Sequence, residues 1–153
     1  MTMSEQQSAS ARQHWISVLA KADSKALQDQ WQALAIEPEY QFIRKPEIGL
    51  TMMRGRVGGS GQPFNLGEMT LTRCAVRLAS GSLGVSYVAG RNKAHALTAA
   101  LADALLQDRD YQVALQEQLI APLEAQLIAA KAEREAKASA TKVDFFTLVR
   151  GED

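Results

Sequence analysis

The first part of the chain repeats apolar residues at the period of an α-helix. They recur every three to four positions, at Trp15, Val18, Leu19 and Ala22. Ser10 followed by Gln13 has the spacing of a capping box, which predicts a first helix over residues 11–22. Ser24 is the predicted cap of a second helix, and Pro38 ends the pattern.

Between Glu39 and Gly90 the apolar period falls to two, which is typical of strands. The alternating segments are bounded by Gly, Pro or Ser and lie near 39–44, 48–57, 68–78 and 83–89. The link 79–82 is short enough for a hairpin turn, and no connection in this region is long enough for a crossover helix. The pattern predicts an antiparallel meander of about four strands.

The helical period returns after Gly90, on a face that contains Ala94, Leu97, Leu101, Ala104 and Leu105. A further helical segment follows, and Pro122 suits the first turn of a last helix over about 123–140. We therefore expect an α+β fold: N-terminal helices, an antiparallel sheet of about four strands, C-terminal helices and an apolar C-terminal segment. One domain is expected over residues 11–153, after a disordered N-terminus at 1–10.

Composition narrows the class of protein. The chain has 153 residues, which suits one domain with its own core. Its 17 basic residues balance 17 acidic ones, so no net charge attracts nucleic acid or anionic lipid. The lone Cys74 cannot form an internal disulfide, the N-terminus does not resemble a secretory signal, and no stretch is apolar enough to cross a bilayer. These features predict a cytoplasmic protein with no membrane or nucleic-acid partner.

Four arginines in the predicted strands are candidate anion-binding residues. Arg54 and Arg56 stand two apart in one strand, and Arg73 and Arg77 stand four apart in another, so each pair shares a face. If the two strands are neighbours and the faces coincide, the guanidinium groups would converge and could hold phosphate or carboxylate. The alternative is a solvated sheet face.

Candidates for catalysis are sparse. His14 and His95 lie on different predicted helices and, with one cysteine, form no recognisable metal-ligand set. Cys74 alternates with strand residues, which favours a buried structural thiol. Glu68 and Asp144 have no visible catalytic partner. No catalytic or metal-binding residue and no cofactor is therefore predicted for this chain alone.

The glycine-rich run at 58–61 resembles a phosphate loop only in composition. A phosphate-binding loop needs Gly-Lys-Ser/Thr leading into a helix, whereas Gln62-Pro63-Phe64 follows here. The run is better interpreted as a flexible connection between strands.

A compact apolar group closes the chain, at Phe145, Phe146, Leu148 and Val149. Exposed clusters of this kind often mark contact surfaces, which makes these residues candidates for contact with a partner protein. The alternative is that they fold back onto the chain's own sheet.

Several segments, taken in order, resemble the PhnG family, the G subunits of the carbon-phosphorus lyase core complex. They are RQHWISVLA at 12–20, RGRVGGSGQPFNLGEMTLTRCAVRL at 54–78, GSLGVSYVAGRNKAHALTAALADALLQ at 81–107, LIAPLEAQ at 119–126 and VDFFTLVRG at 143–151. The resemblance weakens in the first ten residues and in the alanine-rich last helix.

The resemblance implies an accessory or structural subunit that acts in organic phosphonate catabolism with H, I and J subunits, of which I is the expected direct contact. The complex would transfer ribose triphosphate from ATP to a phosphonate such as methylphosphonate and release adenine, forming α-D-ribose 1-methylphosphonate 5-triphosphate. The family offers no established catalytic residue to carry over. Two alternatives remain: an independent nucleotide- or phosphonate-binding domain that uses the arginine face, and a subunit that lends arginines to a shared active site.

Overall fold

A computed structural model of the chain describes residues 2–56 and 61–150, with side chains up to Thr141. This part of the chain is α+β, as predicted. Its elements, in order, are α1 (Met3–Lys21), α2 (Ser24–Leu34), β1 (Tyr40–Arg56), β2 (Pro63–Leu78), β3 (Leu83–Ala89), α3 (Lys93–Leu106), α4 (Arg109–Leu115), a π-helical segment (Gln116–Ile120) and α5 (Ala121–Arg150).

The first two helices begin at caps that the sequence did not single out. Thr2 caps α1 in a capping box with Glu5, so the helix begins well before the predicted start and includes most of the segment expected to be disordered. Asp23 caps α2 by accepting a 3.0 Å hydrogen bond from the Ala26 amide. Ser24, the predicted cap, instead bonds a histidine ring on α3.

The sheet is an antiparallel meander in the order β1-β2-β3, as the hairpin pattern predicts. Three strands are described where the sequence suggests about four, because the segments near 39–44 and 48–57 are one continuous strand, β1. The pairing of β1 with β2 shifts register on both sides of Arg44, next to Pro46. Proline cannot donate to a strand ladder, and β1 tolerates it because it is an edge strand with local irregularities.

One face of the sheet carries the core. Thr72, Cys74, Val76 and Leu78 alternate along β2 and are buried. Helix α3 packs against this face, and α1, α2 and the π-helical segment surround it. On the opposite, outer face, the side chains of Arg73, Arg77 and Tyr87 are exposed.

Helix α5 is longer than predicted. It begins with Pro122 in its first turn and continues to Arg150, so the backbone of the apolar C-terminal segment is helical. The side chains of the four predicted contact residues, at 145, 146, 148 and 149, lie outside the described part of the structure. No helix in the described ranges has the length and hydropathy of a membrane span.

Candidate functional site

The outer face of the sheet carries two of the predicted arginines. Arg73 and Arg77 lie on β2 among the residues that point away from α3, and both are exposed. The register sets Arg73 between Glu47 of β1 and Tyr87 of β3. Alternation along β2 therefore places both guanidinium groups on the open face, as predicted.

Arg73 is already engaged by a carboxylate of its own chain. Its Nε donates to Oε1 of Glu47 at 2.7 Å, and Arg44 forms a short hydrogen bond to the same oxygen. These bonds, from Arg44 and then from Arg73, hold the pKa of Glu47 below its ordinary value. Two guanidinium groups and one carboxylate leave a single net positive charge here, which is a weaker anion site than the sequence suggests.

Arg77 has a different environment from Arg73. It lines a shallow hollow of about 370 Å³ between the start of β1 and the turn after β2. Glu39 lines the same hollow, so a carboxylate again shares the space with the guanidinium. Neither arginine of the pair thus faces a purely cationic pocket.

Arg54 and Arg56 do not join this face cluster. They lie at the far end of β1, where Arg54 pairs with Asn65 and Arg56 with Pro63. Asn65 precedes Arg73 by eight residues on β2, so the two arginine pairs are separated by about 26 Å at the usual rise of a strand. The strands are neighbours, but this register staggers the two pairs, so the four guanidinium groups do not converge at one place. Anion binding by any of these arginines stays a prediction.

The far end of β1 and β2 forms a two-stranded arm, which we define as residues 50–56 and 63–70. The ladder between β2 and β3 ends at the pair Leu71 and Ala89, while β1 and β2 continue to pair as far as Arg56 and Pro63. No described residue of the arm is buried. Its exposed large apolar side chains are Leu50, Met52, Met53, Phe64 and Leu66.

The arm prolongs the core face of the sheet beyond the helices. Leu50 pairs with Thr70 and Met52 with Glu68, so Leu50 and Met52 follow the same side of the sheet as the buried Thr72. Leu50 is 67% exposed and Met52 is 54% exposed. An apolar stripe that is covered near α3 is therefore uncovered on the arm.

A buried carboxylate, Asp103, ties three elements together beside the sheet. It accepts hydrogen bonds from Nε and a terminal nitrogen of Arg12 at 3.1 and 2.9 Å, from Nε1 of Trp15 at 2.8 Å and from the Val85 amide at 2.9 Å. The carboxylate raises the pKa of Arg12 through these bonds. Sequence reasoning missed Asp103, although a carboxylate inside the apolar run AALADALL was a visible signal.

Nearby, a cleft of about 1060 Å³ opens between α1, β3 and α4. It is lined by the cations Arg12 and Arg109, by one carboxylate, Glu5, and by neutral side chains. The guanidinium of Arg12 is held by Asp103, and it also donates to the carbonyl of Leu83 at 3.3 Å. Its position at the cleft wall is thus set by the core rather than by a ligand.

The two histidines lie on different helices and in different surroundings. His95 is buried, with Nδ1 2.8 Å from the Ser24 hydroxyl and Nε2 2.7 Å from the carbonyl of Leu19. Since the carbonyl can only accept, Nε2 carries a proton, and in the neutral ring Nδ1 is then the acceptor for the Ser24 hydroxyl. His14 lies at the surface, 3.2 Å from Glu124. Among the described residues, no group of three or more His, Cys, Asp and Glu is arranged to hold a metal ion.

Comparison with known proteins decides the family. The profile of the family described as "Phosphonate metabolism protein PhnG" matches residues 10–151. The chain belongs to the PhnG family. A relative from Rhizobium meliloti (strain 1021), named alpha-D-ribose 1-methylphosphonate 5-triphosphate synthase subunit PhnG, is 46% identical over 145 residues, covering 93% of this chain and 90% of the relative.

The PhnG match spans the arm, the outer sheet face and the Asp103 network. It also spans two features that lie wholly or largely outside the described part of the structure, the glycine-rich run at 58–61 and the side chains of the apolar C-terminal group. That the glycine-rich run is a flexible connection and that the C-terminal group contacts a partner both stay predictions.

Cys74 is expected to be unreactive in the folded protein. It is buried on the core face of β2, and this burial raises the pKa of its thiol to about 11. At pH 8 only about one thiol in a thousand would be the reactive thiolate. Ellman's reagent should therefore label the native chain negligibly at pH 8 and label one thiol per chain in urea.

A matched control for this labelling is Ala79→Cys, which adds a thiol to the exposed turn after β2. The variant should gain one rapidly reacting thiol. Rapid labelling of Cys74 in the native wild-type chain would contradict its buried position.

Proposed function

We propose that this chain is an accessory subunit of a cytoplasmic complex that makes α-D-ribose 1-methylphosphonate 5-triphosphate. The complex would transfer ribose triphosphate from ATP to methylphosphonate and release adenine. Support comes from the name of the Rhizobium meliloti relative, which is 46% identical to this chain over nearly its whole length. ATP is then a substrate of the complex and not a cofactor of this chain.

The observation that carries the subunit role is the uncovered apolar surface of the sheet. Strand β1 has 17 residues, and none of them is buried. Isolated two-stranded ribbons are marginally stable in water, and large exposed apolar patches are uncommon on monomers. Cover from another protein accounts for both features.

The polar clusters support an accessory role over a catalytic one. The carboxylate of Asp103, the imidazole of His95 and the Oε1 oxygen of Glu47 each have partners within the chain. A group whose hydrogen bonds are already made is less available to a substrate. The pairing of Arg73 with Glu47 likewise weakens the alternative of an independent nucleotide- or phosphonate-binding domain.

We propose the H, I and J subunits of the carbon-phosphorus lyase core as partners, with I in direct contact, on the strength of the family resemblance. The apolar C-terminal residues Phe145, Phe146, Leu148 and Val149 are proposed to contribute to that contact. Helical backbone through Arg150 favours docking as a helix over pairing as an added strand.

Coexpression tests this proposal. The chain would be tagged, produced with the H, I and J proteins and purified under native conditions. We expect all three partners to copurify in fixed ratio, and we expect deletion of residues 143–153 to reduce their recovery. Recovery of the tagged chain alone would contradict the subunit role, and full recovery with the deletion would contradict only the C-terminal contact.

Binding of labelled ATP to the isolated chain distinguishes the accessory role from the alternative of an independent nucleotide-binding domain. The accessory role predicts no saturable binding at ATP concentrations up to the millimolar range. Saturable binding that Arg73→Ala with Arg77→Ala abolishes would favour the independent anion-binding domain.

A further inference from the structure

We propose that the arm inserts into a groove on a partner subunit of the complex, and that this groove is apolar along its walls and carries carboxylates at its deep end. This inference rests on the proposed function, since it requires a partner. It names the part of the chain that reaches the partner and the chemistry that receives it.

The first step is the shape of the arm. Beyond the last pair between β2 and β3, the only backbone contact that the structure gives from the β3 side is the Gly90 amide, which donates to the Thr70 carbonyl at 2.9 Å. From there to Arg56 and Pro63 the arm consists of two strands. A ribbon that projects from the body with no buried residue has both faces and both edges available to a partner.

The second step is the distribution of charge along the arm. Residues 50–53 and 63–67 contain no ionisable side chain. Three charged residues remain, namely Glu68, Arg54 and Arg56, and both arginines lie towards the tip. A partner that fits this pattern is apolar beside Leu50, Met52 and Leu66 and anionic where the two guanidinium groups end.

The third step asks whether a second copy of this chain could receive the arm. The cleft of about 1060 Å³ is large enough to be considered as a receiving groove. Its wall includes Arg12 and Arg109 against a single carboxylate, Glu5. Two arginines of an inserted tip would meet like charge there, so charge complementarity favours a different protein.

The test is a competition for incorporation into the complex. A tagged wild-type chain and an untagged competitor would be coexpressed with the partner subunits, and mass spectrometry would give the ratio of the two forms in the complex. The competitor is Leu50→Thr with Met52→Thr, because threonine keeps strand propensity while it removes apolar surface. We expect its incorporation to fall about 100-fold relative to an untagged wild-type competitor.

The matched control places threonine at two equally exposed apolar positions away from the arm. Val113 is 66% exposed on α4 and Ile128 is 63% exposed on α5. Val113→Thr with Ile128→Thr should be incorporated within about threefold of wild type, as is usual for surface substitutions. An equal loss for both double variants would overturn a specific role for the arm.

A second variant tests the deep end of the groove and guards against misfolding. Arg54→Glu with Arg56→Glu leaves the apolar stripe intact and should lower incorporation by about tenfold or more. Circular dichroism of each purified variant checks that it is folded. Unchanged incorporation of this variant would overturn the carboxylate assignment.

The outcomes separate this inference from the proposed function. If wild-type chain and partners do not copurify, the proposed function fails. If they copurify and Leu50→Thr with Met52→Thr competes like wild type, the function stands and the arm proposal is wrong. If the purified wild-type chain is a dimer by sedimentation and this variant is a monomer, the occupant is a second copy, which also overturns the proposal.

Discussion

Replacing Asp103 by alanine is expected to lower the free energy of unfolding by about 2–5 kcal/mol, because hydrogen-bond donors beside the core lose their acceptor at a typical cost of about 1–3 kcal/mol each. Asp103 is fully buried on α3 and accepts hydrogen bonds from two other elements: from Arg12 and Trp15 of α1 and from the Val85 amide of β3. Alanine would leave the buried Trp15 ring nitrogen and the Val85 amide without these bonds, and each lost bond carries a desolvation cost. Urea denaturation of the purified chain measures the difference.

The loss should be large against the total stability of a domain of this size, which is about 5–15 kcal/mol. Asp103→Asn keeps one carbonyl acceptor and should lose less than alanine. Asp29→Ala provides the matched control, since Asp29 is an exposed carboxylate on α2 and its loss should change stability by about 0.5 kcal/mol or less. Equal unfolding midpoints for Asp103→Ala and Asp29→Ala would show that the buried network contributes nothing to the fold.

Replacing Gly84 by alanine is expected to destabilise the chain by about 3 kcal/mol or more, at the upper end of overpacking effects. Gly84 lies on the core face of β3 under α3. A Cβ at this position would stand 2.0 Å from the carbonyl oxygen of Ala100 and 2.8 Å from the Ala104 nitrogen. Both are backbone atoms, so the helix itself would have to move away from the sheet.

Gly49→Ala is the matched control for Gly84→Ala. Gly49 is also a strand glycine, but a Cβ there meets no atom within 4 Å. Alanine should therefore be neutral or slightly stabilising, since it restricts the unfolded chain more than glycine does. Thermal unfolding of the two variants makes the comparison, and similar melting temperatures would contradict the close packing of α3 on β3.

The periodicity of the chain predicts the class and order of elements, because buried residues recur about every 3.6 positions in a helix and every two positions in a strand. The stripe at Trp15, Val18 and Leu19 is buried, and β2 alternates as expected. The strand count differs because Pro46 interrupts the pattern without ending β1, and the sheet absorbs it as irregular pairing. A local breaker thus does not always mark the end of a strand.

The candidate site was harder to predict because it depends on register and on long-range contacts. The sequence puts Arg54 and Arg73 on neighbouring strands, but only the pairing of Glu47 with Arg73 reveals how far apart they lie. Asp103 meets Arg12 across 91 positions of the chain, and no local pattern specifies that contact. Exposure of the arm likewise follows from β3 being shorter than its neighbours.

The central claim is that this chain acts only as part of a complex, and adenine release tests it most directly. ATP and methylphosphonate would be supplied to three preparations: this chain alone, the partner subunits alone, and the coexpressed complex. Free adenine would be measured by chromatography. We expect release from the complex, none from this chain alone and a strong loss when the chain is omitted. Robust release by the isolated chain, or equal release by the partners without it, would contradict the account.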